Sequence, residues 1–351
     1  MNRKEFSVAT FNLFNLQEPG KPMNRGQTPW TPEQFRMKIQ WIVWQLTILA
    51  PDIVGLQELW SKEALDAVLD FNYGTPGDPP KRLKDEYQQL ATPATGDKIV
   101  CGALVRKELL VGEPKWVDKF PEATRLDLKE DPDDPQSPEI KVTINAFSRP
   151  VLRFQVKLRD DQPVTEVFVT HLKSKLPTDV SEEAWFENNP ATFKPHQKAL
   201  GAGISTIRRT AEAVALRVML TGVMKGTTTP VIVLGDLNDG QTSNTANILT
   251  EQPQILVGGA QGGSDVGLYT AQTLQEYRDT RDVYYTHVHQ DLRESLDHVL
   301  VSEQFYDNSR KRVWLFDGLV INNDHLNFED HKGTGTGDHG VVKVSFKFNP
   351  A

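Results

Sequence analysis

Apolar residues fall into short runs broken by polar turns, and the spacing inside each run separates strands from helices. Residues 5–12 predict a strand with Phe6, Val8 and Thr10 on one face. Residues 33–49 predict a helix, because Phe35, Ile39, Ile42, Leu46 and Leu49 recur at steps of four and three. Thr31 with Gln34 fits a capping box, Pro32 suits the first helical position, and Pro51 stops the helix. "DIVGLQE" then predicts a strand, residues 62–69 a second helix, and residues 99–106 another strand. Residues 113–140 carry the acidic, proline-rich "LDLKEDPDDPQSPEI" and predict a surface insertion without strands. Strand signals resume at 141–158 and continue to His171.

A second irregular stretch, 173–195, sets Trp185, Phe186 and Phe193 in polar company, where they either form a substrate-facing lip or, as loop aromatics more often do, pack the loop down. Residues 197–221 predict a helix with Leu200, Ile204, Ile207, Ala211, Val214 and Val218 as its apolar stripe. Arg208 and Arg209 sit beside that stripe and are expected to be solvated, with phosphate contact the lesser alternative. A strand at 231–235, a Gly- and Gln-rich loop at 252–267 and a strand at 295–302 follow. A glycine-rich loop at 333–340 feeds the last strand, where Val342, Val344, Phe346 and Phe348 alternate with polar residues. No repeat period interrupts this order, and residues 1–351 are expected to form a single domain with insertions near 113–140 and 173–195.

Composition narrows the function. The 351 residues are 38% hydrophobic and 25% charged, enough for a sizeable core. The net charge of -8 argues against holding nucleic acid by bulk charge, but not against an enzyme that carries its own cation to a phosphate. A lone cysteine, Cys101, excludes an internal disulfide and a thiolate zinc site. Its apolar neighbours predict an inert core thiol. "WIVWQLTILA" is too short for a membrane span. The compartment stays open: cytoplasmic if the start is native, secreted or periplasmic if a leader was removed.

Chemistry gathers where strands end. Asn12 closes the first strand, Glu58 follows "GLQ", and His171 follows "VFVT". Asp236 and Asn238 close "VIVLG", Asp297 opens "HVLVS", and Asp338-His339 lead into the last strand. Active sites collect where loops leave a rigid sheet. There is no G-x-S-x-G elbow, Walker loop or H-E-x-x-H pair. The set is mainly oxygen donors, which select Mg²⁺ or Mn²⁺ over zinc, with imidazoles able to move a proton beside a phosphate.

The ordered series Asn12, "GLQE", "THLKSK", "GDLND", "LDHVLVS" and "GDHGVV" resembles the endonuclease/exonuclease/phosphatase superfamily, in its deoxyribonuclease I-like, bacterial nuclease-like branch. The resemblance runs from residue 5 to about 348. It implies a four-layer α/β sandwich, two mixed β-sheets packed face to face with helices outside. It implies a Mg²⁺- or Mn²⁺-dependent phosphodiester hydrolase, a nuclease first, with a phosphatase or phosphodiesterase on a small or lipid phosphoester as the alternative. The expected partner is a phosphoester, nucleic acid foremost, and the expected state a monomer.

By the same resemblance Glu58 matches the metal-binding glutamate. Asn12 matches the amide that places the cation or phosphate, and Asp338 an outer metal contact. His339 with Asp297 matches the histidine–carboxylate pair. Asp236 and Asn238 match the residues that position water, and His171 the second histidine. Which of Asp236 and the His339–Asp297 pair is the general base stays open. Arg149 resembles a phosphate-contacting arginine, and Asp97 is placed to partner His171; a surface ion pair explains either equally. His298 is expected to be a satisfied core histidine, and Asn15 and Asp239 turn caps. Thr170-His171 stands where abasic-site enzymes carry a tyrosine–asparagine motif, which argues against that repair role. The 5-phosphatase lysine–tyrosine loop has no counterpart, and only 184–193 could serve as a sphingomyelinase-like aromatic hairpin. "YYTHV" looks like bacterial relatives of secreted nucleases.

Overall fold

The computed structural model describes residues 2–24, 26–133, 136–251, 266–281 and 284–351. Its first strand, β1 (Glu5–Leu16), shows how the layers arise. Alternate residues of a strand face opposite sides. Phe6 and Val8 enter a core shared by two sheets, while Ala9, Phe11 and Leu13 enter a core under helices. Both faces of β1 are therefore buried.

One sheet has six strands in the order β15 (Trp314–Asn322), β16 (Val341–Phe348), β1, β2 (Ile53–Ser61), β4 (Thr95–Arg106), β3 (Tyr87–Leu90). The other has the order β11 (Tyr269–Thr270), β14 (Asp297–Val301), β10 (Val231–Asp236), β9 (Thr165–His171), β8 (Ala146–Val156), β5 (Leu110–Lys119). Each sheet is mixed. β1 runs parallel to β2 and β9 parallel to β10, and every other neighbour is antiparallel. Two short ribbons complete the strands: β6 (Asp127–Leu128) with β7 (Ile140–Lys141), and β12 (His287–His289) with β13 (Leu292–Glu294).

The sheets pack face to face through Val8, Ile53, Val167, Val169, Ile232, Leu234, Val342 and Val344. They approach closely at Gly55, where an added Cβ would lie 2.8 Å from the Cβ of Leu234, so only glycine fits without a shift. Cys101 is buried in this core, and burial pushes its thiol up to about 12. Helices α1 (Pro32–Leu49) and α2 (Lys62–Asp70) cover the first sheet. α5 (Gln197–Met224) and α6 (Asn244–Thr250) cover the second. The result is the four-layer sandwich that the resemblance implies. Short helices α3 (Ala184–Glu187), α4 (Pro190–Phe193), α7 (Ala271–Glu276) and α8 (His331–Thr334) lie in connections. Among the described residues, no helix is long and apolar enough to cross a membrane.

α1 forms as its sequence predicts. Thr31 Oγ1 accepts from Gln34 N at 3.2 Å and Gln34 Oε1 accepts from Thr31 N at 3.0 Å, closing the capping box. Ile39, Ile42, Leu46 and Leu49 are buried, each worth about 1.5–3 kcal/mol of transfer free energy.

Three expectations are corrected. First, the insertion expected from 113 begins later, because β5 runs to Lys119 and pairs Trp116 with Leu152. β5 is an edge strand, so its charged residues can face water. Its Pro114 falls where the pairing register shifts, between Val111 and Lys115, so no regular ladder bond is lost there. The strand expected from 141 starts only at Ala146. Second, α5 turns the first part of its predicted stripe outward: Leu200, Ile204 and Ile207 are 37%, 40% and 51% exposed, while Ala211 is buried as expected and Val214 and Val218 are half-buried. Gly201, Ser205, Arg209, Glu212, Leu216 and Leu220 are buried instead. Third, Arg209 is therefore not solvated. Trp185 and Phe193 pack edge to face, with ring centroids 4.8 Å apart, as expected of loop aromatics. The loop expected at 252–267 falls largely outside the described residues.

Candidate active site

The two parallel pairs point the same way. Asn12 and Glu58 lie at the carboxyl ends of β1 and β2, and His171 and Asp236 at those of β9 and β10. β14 and β16 run antiparallel to these strands, so their starts meet the same end. Asp297 pairs with Asp236 in register, and His339 lies two residues before β16. Six segments distant in sequence thus meet at one cleft of about 490 Å³, with Asn12 and Asp297 buried behind its lining against Asp236 and His339. Glu58, Arg149, His171, Asp236, Asn238, Asp338 and His339 line it.

Local backbone geometry aims these groups. Phe14, Asn15, Glu58 and Asn238 all adopt positive φ (49°, 56°, 59° and 53°), a conformation that non-glycine residues occupy at a cost. Glu58 sits in a register shift between β2 and β4, which turns its carboxylate out of the pleat. Its Oε2 accepts from Asn15 N at 2.9 Å. Asn15 is more than a turn cap: its Oδ1 accepts from Trp60 Nε1 at 2.9 Å and its carbonyl accepts from Trp30 Nε1 at 2.8 Å. Two indoles therefore fix the residue that holds Glu58.

Asp236 is the hub. Its Oδ1 accepts from Asn238 N at 2.8 Å, and its Oδ2 from Asn12 Nδ2 at 3.2 Å. The same Oδ2 lies 3.5 Å from His171 Nε2 and 3.9 Å from His339 Nε2. His339 Nδ1 meets Asp297 Oδ2 at 2.8 Å, which leaves Nε2 toward the cleft. Asn238 Nδ2 donates to the Leu172 carbonyl at 3.0 Å, and Arg149 Nη1 donates to the same oxygen at 3.1 Å. His171 Nδ1 and Asp297 Oδ1 are buried without a hydrogen-bond partner.

The electrostatics follow from burial and neighbours. Burial disfavours the His339 cation, but Asp297 and Asp236 outweigh it and hold its pKa well above the usual imidazole range. Burial, with Arg149 and His339 nearby, pushes His171 well down and keeps it neutral. Burial raises Asp236 to about 7, and Asp297 adds to the rise. Glu58 is raised by burial and then by Asp338. Asp338 adds to the rise at Glu58 and both carboxylates line the cleft, and such a pair suits a cation able to neutralise it. On this ground Glu58 and Asp338 fit a hard divalent ion, while Asn12 is buried against Asp236 and its Oδ1 accepts from Phe14 N at 2.9 Å. Among the described residues, two further groups bring three possible ligand atoms within 4.8 Å of one another: Asp236, Asp297 and His339, and His287, Asp338 and His339.

One site expectation fails, the two expected turn caps Asn15 and Asp239 change character, and His298 is as expected. Asp97 does not reach His171; it is exposed and accepts from its own strand's Thr95 Oγ1 at 3.1 Å, leaving Asp236 as the carboxylate beside His171. Asp239 receives Arg209 Nε at 3.3 Å and Thr245 Oγ1 at 2.8 Å, tying α5 and α6 to the strand end, so it is more than a turn cap. Arg209 also donates to the Lys173 carbonyl at 3.3 Å. His298 is a core histidine whose Nε2 meets the Asp239 and Ser295 carbonyls. Sequence reasoning missed His287, Lys175 and Lys38. His287 and Lys175 line the cleft. Lys38 is fully buried, its ammonium 5.1 Å from the Phe14 ring centroid and 4.8 Å from that of Trp30. A lysine three positions after Phe35, on the apolar side of α1, was the available signal.

The Endonuclease/Exonuclease/phosphatase family pattern matches residues 40–339. The chain belongs to that family. All three activities in the family's name break phosphoester bonds, which supports an enzyme of phosphoester hydrolysis. Among solved structures, the chain is similar to D. rerio TDP2 complexed with single strand DNA product, at 14% identity and a TM-score of 0.53, covering 98% of this chain and 100% of that one. It is similar to an endonuclease/exonuclease/phosphatase from Bacteroides vulgatus, at 14% identity and 0.52, covering 99% and 100%. It is also similar to the human Nocturnin catalytic domain with bound sulfate anion, at 13% identity and 0.51, covering 99% and 96%. At such identities the likeness is one of fold. Among curated proteins none matches the chain.

Proposed function

We propose that this chain is a Mg²⁺- or Mn²⁺-dependent phosphodiester hydrolase, and a nuclease in the first instance. The observation that carries the reading is the His339 imidazole, braced by Asp297 at 2.8 Å and turned toward Asp236 in the cleft that also holds Glu58. Glu58 and Asp338 would hold the cation, which when bound screens phosphate charge and steadies the leaving oxygen. Asp236 and Asn238 position a water for in-line attack. A charged His339 donates to a phosphoryl oxygen from Nε2. A neutral His171 and the Arg149 guanidinium contact the remaining phosphate oxygens. A single-strand DNA product bound to the similar D. rerio TDP2 supports nucleic acid as substrate. The net charge of -8 favours the second reading, a phosphatase or phosphodiesterase on a small or lipid phosphoester.

The test is one panel of plasmid, oligonucleotides and small phosphoesters, assayed with Mg²⁺, with Mn²⁺ and with EDTA. Cleavage should need the cation, and His339→Ala should lower turnover by about 10²–10⁴-fold, the usual contribution of a positioned acid or base. Full activity in His339→Ala, or in EDTA, rejects the mechanism. Turnover confined to small phosphoesters selects the second reading.

A further inference from the structure

His287 has no part in the proposed hydrolysis, yet the fold places it against the catalytic histidine. An isolated antiparallel bridge pairs His287 with His339, and Gly340 N donates to the Thr286 carbonyl at 2.7 Å to lock the register. Residues opposed across such a bridge project to the same side, with Cβ atoms about 4.5–5.5 Å apart. The two imidazole centroids accordingly lie 4.9 Å apart. Asp338 precedes His339 in sequence, and one ligand atom from each of His287, Asp338 and His339 falls within 4.8 Å of the others. His287 Nδ1 is buried and has no hydrogen-bond partner among the described residues. A buried imidazole nitrogen left unpaired is costly, and a ligand that accepts its lone pair removes the cost.

The donor set differs from that around Glu58. Oxygen donors there suit a hard cation. Two imidazoles and one carboxylate suit a borderline transition metal, zinc above all, with a position left for water or another ligand. The outer support is in place as well. His339 Nδ1 is already bonded to Asp297, the arrangement that orients a ligating imidazole through its other nitrogen. Beside the cluster, Glu294 pairs with His287 in register but is engaged by Lys175 at 2.7 Å.

We infer that His287, Asp338 and His339 form a second cation site that takes zinc or a similar transition metal, and that a metal there shuts off hydrolysis by occupying His339 and Asp338. The shut-off rests on the hydrolase reading above; the metal binding does not. A zinc ion takes the lone pair of His339 Nε2 only by displacing that nitrogen's proton to solvent, which removes the donor that faces Asp236, and Asp338 cannot serve both sites in one geometry.

The experiment uses the full chain with Mg²⁺ in excess and reads zinc alone by calorimetry and cobalt(II) by its visible absorption bands. Wild type should bind one zinc at least about tenfold more tightly than His287→Ala, in line with the 10–100-fold effects of changes around metal ligands. Circular dichroism and the unfolding midpoint establish that the variant is folded. His287→Cys supplies a different ligand at the same place: it should keep zinc and add a thiolate-to-cobalt charge-transfer band. Zinc inhibition, expressed against each variant's own uninhibited rate, should weaken in His287→Ala in parallel with binding. Equal zinc affinity and identical cobalt spectra in wild type and His287→Ala, or no thiolate band in His287→Cys, overturn the site. Zinc inhibition equally strong in His287→Ala overturns the shut-off. A His287-dependent cobalt spectrum without turnover on any phosphoester leaves the site standing and rejects the hydrolase reading.

Discussion

Helices α1 and α5 each cover one sheet, and they do it with different chemistry. α1 lays Ile39, Ile42, Val43, Leu46 and Leu49 on the first sheet, and Lys38 and Gln45 are its buried polar residues. α5 divides in two. Its later turns bury Leu216, Leu220 and Met224 against the second sheet. Its earlier turns bury Ser205, Arg209 and Glu212 against the loops that leave β9 and β10. Ser205 Oγ donates to the Leu176 carbonyl at 2.7 Å. Glu212 accepts from Ser148 N and Lys173 N, both at 2.8 Å, and from the Ser148 hydroxyl. Loops carry unpaired backbone groups, and a helix that packs on them must bring partners. A sheet needs only apolar surface. The first half of α5 is thus a polar brace on the cleft, where α1 is a cover.

The largest effect that separates brace from cover compares Glu212→Ala with Leu46→Ala. Each should destabilise the fold by about 3 kcal/mol, the first by stranding two partly buried amides, the second by leaving a cavity. Only Glu212→Ala should also slow turnover. It releases Lys173, the neighbour of the Leu172 carbonyl that holds both Asn238 and Arg149. Misplacing a site by about 1 Å reduces rate by around 10²-fold. Turnover at a temperature where both variants are folded, read beside denaturant midpoints, decides it. Equal turnover in the two variants would reduce Glu212 to a structural acid.

The same contrast explains what the sequence could and could not disclose. Strands facing two cores read as apolar runs, so β1, β2, β9 and β10 were readable, β16 was readable from its alternation, and so were the polar groups at their ends. α1 was readable down to its cap because its buried side is mainly apolar. The buried side of α5 was not, since periodicity registers apolar partners and the partners there are carbonyls and amides. β5 hid behind Pro114 and its edge-strand charges. Asn15, Arg209 and His287 look like ordinary turn, surface and strand residues. Their roles come from contacts with Glu58, Asp239 and His339, which only the fold brings near. Asp97 failed for the converse reason: proximity to a strand start in sequence did not place it inside the cleft.

Lys38 tests the exception on α1. Burial lowers its pKa from 10.5 to about 7, with Asp338 and then Glu58 opposing the fall. Between pH 7 and 10.5 the unfolded chain holds a proton that the folded one has shed, so wild-type stability climbs with pH across that window. Lys38→Met keeps the volume and removes the buried charge. In EDTA it should gain about 2 kcal/mol at pH 7, the usual sign when an apolar group replaces a buried ion. The gain should shrink as pH rises toward 10.5. Denaturant melts at several pH values measure it. A constant gain would mean that Lys38 stays charged, held by the faces of Phe14 and Trp30.

The smallest effect belongs to the outward stripe of α5. Ile207 is 51% exposed, and the helix buries its opposite side, so Ile207→Lys should change stability by no more than about 0.5 kcal/mol and leave turnover alone. The matched change on α1, Ile42→Lys, puts an ammonium where the side chain is 1% exposed and should prevent folding or lower the midpoint severely. Sequence periodicity treats the two isoleucines alike, since each belongs to a stripe at helical spacing. Side-by-side unfolding curves therefore measure how α5 is rotated. Comparable losses in both variants would place Ile207 against the sheet, and with it would fall the idea that Arg209 and Glu212 face the cleft loops.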